Sequence, residues 1–104
     1  MNWNKIGEYL RETGFFPPET DVYACDSVYM EYSNFYISVS THGQTNIVIS
    51  LGTKIQGKRF SVINTYPYTE DTETVLSYLR EDLDDMGERL DRKIEKEYHN
   101  FFDI

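Results

Sequence analysis

Apolar positions along the chain change their spacing twice, and each change marks a border between elements. From Trp3 to Glu12, the residues Trp3, Ile6 and Leu10 recur at i, i+3 and i+7, which places them on one stripe of a helix. Asn2 stands where a side-chain oxygen caps the free N–H groups of the first turn. Gly14 suits the left-handed position after a helix, and Pro17 and Pro18 prevent its resumption. Phe15 and Phe16 are expected to fold back onto the core.

Residues 22–66 switch to a period of two. Val28, Met30 and Tyr32 alternate with Tyr29 and Glu31; after a turn at Ser33 and Asn34, Phe35, Ile37 and Val39 alternate with Tyr36, Ser38 and Ser40. Past His42, Gly43 and Gln44, the residues Ile47, Ile49 and Leu51 alternate with Val48 and Ser50. Gly52 and Gly57 bracket a further turn before Phe60 and Val62. Four such runs predict an antiparallel meander with one buried face. Val22 to Cys25 either lengthens the first strand or forms a small extra one. Pro67, between Tyr66 and Tyr68, ends the sheet because proline donates no ladder hydrogen bond.

From Asp71 to Phe101 the helical period returns. Leu76, Leu79, Leu83, Met86, Leu90, Ile94, Tyr98 and Phe101 follow one another at three or four residues and form one seam. A helix of about 28 residues runs roughly 42 Å, longer than a four-stranded sheet needs as cover. Gly87 weakens it by about 1 kcal/mol relative to alanine, so a kink or break there is one expected outcome. The far end then projects, or packs on a second copy or a partner. The predicted fold class is α+β: a short N-terminal helix, a four-stranded antiparallel β-meander, and a long amphipathic acidic C-terminal helix packed on one sheet face. Residues 1–104 form a single domain at this length.

Composition narrows the class without naming a reaction. With 39% hydrophobic and 15% aromatic residues the chain is too apolar for a disordered acidic tail. Cys25 is the only cysteine, which excludes an internal disulfide framework and a multi-cysteine zinc site. No apolar run approaches the roughly 18 residues of a membrane span, and residues 1–5 lack a signal-peptide core. A cytoplasmic protein without membrane contact is the expectation.

Charge is unevenly placed. Residues 1–69 carry six acids and five bases, while residues 70–104 carry twelve acids and five bases, so nearly all of the −8 sits in the last third. Direct nucleic-acid binding needs a basic stripe, and the only basic cluster, Lys54 with Lys58 and Arg59, is small and lies in a predicted turn. The long helix instead carries Glu81, Asp84, Glu88, Asp91 and Glu95 at spacings of 3, 4, 3 and 4. These five lie roughly 125° around the helix from the apolar seam and recur about every 5 Å along it, close to the phosphate repeat of a nucleic-acid strand. Asp82 and Asp85 add charge beside them, and Arg89, Arg92, Lys93 and Lys96 lie mostly on the other flank, within reach of some acids at i, i+3 or i+4. Either the stripe is a solvated face, or it occupies a basic groove on another protein. Tyr29 and Tyr36 point away from the core face with Ser38, Ser40, Val48 and Ser50, and tyrosine is enriched at interfaces; ordinary surface tyrosine, or cover by a second helix or a dimer mate, are the alternatives.

Candidate chemistry is thin. Cys25 with His42 or His99 is the one conceivable thiolate pair, and no third group orients either histidine. No Gly-rich phosphate loop, paired-histidine metal motif or Gly-x-Ser-x-Gly turn is present, and no cofactor is implied. In size, acidity and lack of catalytic signature the chain resembles small phage-encoded inhibitors of bacterial defence, including anti-CRISPR proteins; the likeness is one of general character and carries over no site residue. The expected function is therefore a non-enzymatic inhibitor that covers the nucleic-acid-binding surface of a basic host protein. Its expected contact residues are Glu81, Asp84, Asp85, Glu88, Asp91 and Glu95, with Tyr29 and Tyr36. An immunity protein against a bacterial toxin, or a small homodimeric chaperone or adaptor, are the alternatives.

Overall fold

The structure, a computed structural model, describes the backbone of residues 1–102 and the side chains of residues 1–98. Helix α1 (Trp3–Glu12) is followed by strands β1 (Tyr23–Ala24), β2 (Val28–Tyr32), β3 (Phe35–His42), β4 (Asn46–Ile55) and β5 (Lys58–Pro67), and then by helix α2 (Thr72–Phe102). The strands form one antiparallel sheet in sequence order, and both helices share its core face, so the fold is α+β in two layers. Five strands stand where four are expected. The extra one, β1, pairs Tyr23 with Tyr29 and Ala24 with Val28, beyond a turn closed by the Cys25 N–H on the Ser27 carbonyl at 3.1 Å. Two residues are too few to show an alternation.

Turn chemistry sets the register. Ser33 and Asn34, and again Gln56 and Gly57, all have positive φ. Two-residue turns of that kind match the right-handed strand twist, and they place Tyr32 opposite Phe35 and Ile55 opposite Lys58. Gly52, expected at a turn, lies inside β4 instead. It faces Tyr36 across the β3–β4 pair, and the tyrosine ring lies where its side chain would be; a Cβ at Gly52 would sit 2.4 Å from a ring carbon. The glycine is a slot for an aromatic ring, so the strand runs on to Ile55.

The alternation buries Val28 and Met30 from β2, Ile37 and Val39 from β3, Ile47, Ile49 and Leu51 from β4, and Phe60 and Val62 from β5. They meet Ile6 and Leu10 of α1 and Leu76, Leu79, Leu83, Met86 and Leu90 of α2. Phe16 closes the core beneath the end of α1. Phe101, expected in the same seam, lies outside the residues whose side chains are described.

Helix α2 is continuous through Gly87. Its 31 residues span roughly 46 Å, near the molecule's longest extent of 49 Å. Asp71 caps it, its carboxylate accepting from the Thr74 N–H at 3.2 Å and the Thr74 hydroxyl at 2.6 Å. The two helices run in the same direction. The Asn2 N–H donates to Thr72 Oγ1 at 2.8 Å, Lys5 pairs with Glu73 at 2.5 Å, the Arg80 guanidinium lies 5.7 Å from the Tyr9 ring centre, and Gly87 lies beside Phe15. Because α1 has only ten residues, it accompanies the first half of α2 and stops.

Candidate partner-binding surface

The helical period turns one side of α2 away from both the sheet and β5, and Glu81, Asp84, Glu88, Asp91 and Glu95 all lie there, exposed. Among the described residues none of the five is in an ion pair or hydrogen bond with another side chain. Two cations of the same helix are engaged with β5 instead. Arg89 donates from Nη2 to Asn64 Oδ1 of β5 at 2.6 Å, and Lys93 donates to the Ser61 carbonyl at 2.8 Å. Lys58 of β5 pairs with Glu97. The basic flank of α2 thus fastens the helix to the edge strand, and only one expected pairing along the helix forms, Arg89 Nε with Asp85 Oδ2 at 3.2 Å. That N–H does not point at the oxygen, so the contact is an ion pair and not a hydrogen bond.

Asp85 is therefore set apart from the five-carboxylate stripe that sequence grouped it with: it lies on the β5 flank and is already engaged. Asp82 lies there too, accepting from the Tyr66 hydroxyl at 2.6 Å, while Asn64 Nδ2 donates to the same hydroxyl at 3.2 Å. Burial and then the hydrogen bond to the Asp82 carboxylate push the Tyr66 hydroxyl up to about 12. Tyr66 also stacks on Tyr78, with centroids 4.3 Å apart. The signal for this network was present: after Val62, the core-face positions of β5 are Asn64 and Tyr66, polar where apolar residues are expected. Polar inward positions on an edge strand meet the polar flank of the helix above.

Tyr29 and Tyr36 stand on the other face of the sheet, which no element covers among the described residues. Their rings stack at 6.0 Å. The Tyr29 hydroxyl donates to Glu31 at 2.8 Å and is pushed up to about 12, by burial first and then by that carboxylate. Tyr36 lies over Gly52 and 3.3 Å from Ser50 Oγ. Ile63, 58% exposed, lies on the same face. The acidic stripe and the tyrosine pair are thus on opposite sides of the molecule, and one flat partner surface meets only one of them. Cys25 and His42 are both exposed, Cys25 in the β1–β2 turn and His42 at the end of β3, and the His99 side chain lies outside the described residues. Among the described residues no cluster of His, Cys, Asp or Glu is disposed to hold a metal ion, and no helix is long and apolar enough to cross a membrane.

Fold and surface together define a two-layer α+β domain whose long helix separates its charges by face. The chain matches no protein-family model, no curated protein and no solved structure.

Proposed function

We propose that the protein is a non-enzymatic inhibitor that covers the nucleic-acid-binding surface of a basic protein, in the manner of phage-encoded inhibitors of bacterial defence. One observation carries this reading: among the described residues Glu81, Asp84, Glu88, Asp91 and Glu95 remain unpaired although the same helix bears cations, two of which, Arg89 and Lys93, are directed to β5. Adjacent like charges at i, i+3 and i+4 each cost a helix about 0.2–0.5 kcal/mol, so a row of five opposes folding. A partner whose lysines and arginines otherwise hold phosphates supplies the compensation, and the acidic field raises the encounter rate. Action is stoichiometric and takes place in the cytoplasm where the target works.

The test is capture from bacterial lysate on immobilised protein, followed by displacement with a duplex DNA fragment or with raised salt. Proteins that bind nucleic acid are expected on the wild-type bait and are expected to leave it when DNA is added. A folded bait carrying Glu81→Gln, Asp84→Asn, Glu88→Gln, Asp91→Asn and Glu95→Gln is expected to retain none of them. Equal capture by both baits contradicts the proposal.

A further inference from the structure

The helix layer is incomplete beside the second half of α2. Over the first half, α1 lies alongside α2 and the sheet is covered by two helices. After Glu12 the chain turns away through Phe15 and Phe16, and beside residues 84–94 of α2 a groove of about 590 Å³ takes the place of a second helix. Phe15, Phe35, Ile55, Leu90 and Ile94 supply its apolar lining. Phe15 stacks on Phe35, with centroids 6.1 Å apart, so the wall is braced. Gly87 keeps the groove open from the helix side: it has no side chain, and it lies on the arc of α2 between the apolar seam and the acids. Asp84, Glu88 and Asp91 form the rim.

We propose that this groove seats a cationic amphipathic helix of a partner protein, which completes the helix layer where α1 stops. The inference rests on the functional reading above and identifies the partner element that reading requires. Three features select this occupant. The gap continues the position of α1, which is already a helix packed beside α2. The rim carboxylates follow at spacings of 4 and 3, the intervals at which arginines or lysines recur on one face of a helix. The lining is apolar while the rim is acidic, so the occupant needs an aliphatic stripe flanked by cations, whose methylene stems also cover apolar surface. A second copy of this chain lacks that chemistry, because its own α2 offers carboxylates to the same rim and each copy carries −8.

The probe is a synthetic helical peptide of about 15 residues with leucines at i, i+4, i+7 and i+11 and arginines along one adjoining flank. A control peptide has the same composition scrambled so that neither stripe exists. Binding is read by fluorescence anisotropy, and its location by amide shifts in labelled protein. The patterned peptide is expected to move the amides of Phe15, Ile55, Gly87 and Ile94, and to bind about tenfold tighter than the scrambled one. Gly87→Leu fills the groove and leaves every charge in place, and it is expected to weaken binding about tenfold while circular dichroism shows the fold intact. Ile94→Ser, near the helix end, is the second variant and is expected to act in the same direction. No binding, equal binding of the two peptides, undiminished binding by both variants, or shifts centred on Tyr29 and Tyr36 overturns the groove proposal. If Gly87→Leu and Ile94→Ser both bind like the wild type but the five-carboxylate variant does not, the groove is wrong and the acidic surface stands. If Gly87→Leu loses binding and the five-carboxylate variant keeps it, the groove stands as an apolar seat, while the cationic occupant and the charge reading are both wrong.

Discussion

A methyl group added at Gly52 would meet the Tyr36 ring at 2.4–2.7 Å, whereas one added at Gly87 would meet Phe15 at 3.5 Å, an ordinary contact. The same substitution therefore has opposite signs at the two positions. Gly52→Ala must displace the tyrosine ring and is expected to lose about 1–3 kcal/mol. Gly87→Ala gains helix propensity and is expected to add up to about 1 kcal/mol; denaturant midpoints compare the two. Tyr66 gives a second residue-level test. Its hydroxyl is pushed up from 10 to about 12, so between those values the unfolded chain loses the proton and the folded chain keeps it. Tyr66 thus contributes stability that is fully present below about pH 10 and is lost as pH rises through about 12. Ultraviolet titration is expected to show tyrosinate forming late, and Tyr66→Phe is expected to remove part of the alkaline fall in stability.

Helix α2 depends on its first turn and on its β5 flank. Asp71→Ala removes the acceptor for the Thr74 N–H, and a loss of about 1 kcal/mol in urea unfolding is expected. Leu83→Ala, beneath the middle of the helix, is expected to cost about 2–5 kcal/mol because the residue is 3% exposed and the sheet beneath it collapses little. Both helices, the Asn2 cap of α1 and the alternating strands were legible in the sequence, since each has a period or a punctuating residue. Two features were less so. The strand β1, too short to have a period, was legible only as one of two outcomes for Val22 to Cys25, and Gly52 reads as a turn until Tyr36 is known to lie across it. The continuity of α2 at Gly87 belongs to the same class: helix propensity alone disfavours the glycine, and packing over a core of Leu83, Met86 and Leu90 overrides it.

For the whole molecule, the decisive feature is that charge is sorted by face. Helical spacing revealed the five-carboxylate stripe, but it did not show what Arg89 and Lys93 of α2 do. Their partners, Asn64 and Ser61, lie in β5 and are brought to the helix only by the fold. The position of Phe15 against Gly87, and with it the groove, was equally invisible, because it depends on where α1 ends relative to α2. If the stripe is kept for recognition, it is a burden on the fold. Neutralising all five acids is then expected to raise unfolding stability by on the order of 1 kcal/mol, with the gain largest at low salt. A variant that is more stable and less able to bind marks a trade of stability for function.

The most direct test of the central claim is the salt dependence of affinity for a captured partner, compared between wild type and the five-carboxylate variant. The wild type is expected to weaken steeply between about 50 and 200 mM salt, and the neutralised protein is expected to bind weakly with a shallow slope. Equal affinity and equal slope for the two proteins would contradict the assignment of Glu81, Asp84, Glu88, Asp91 and Glu95 as the recognition surface.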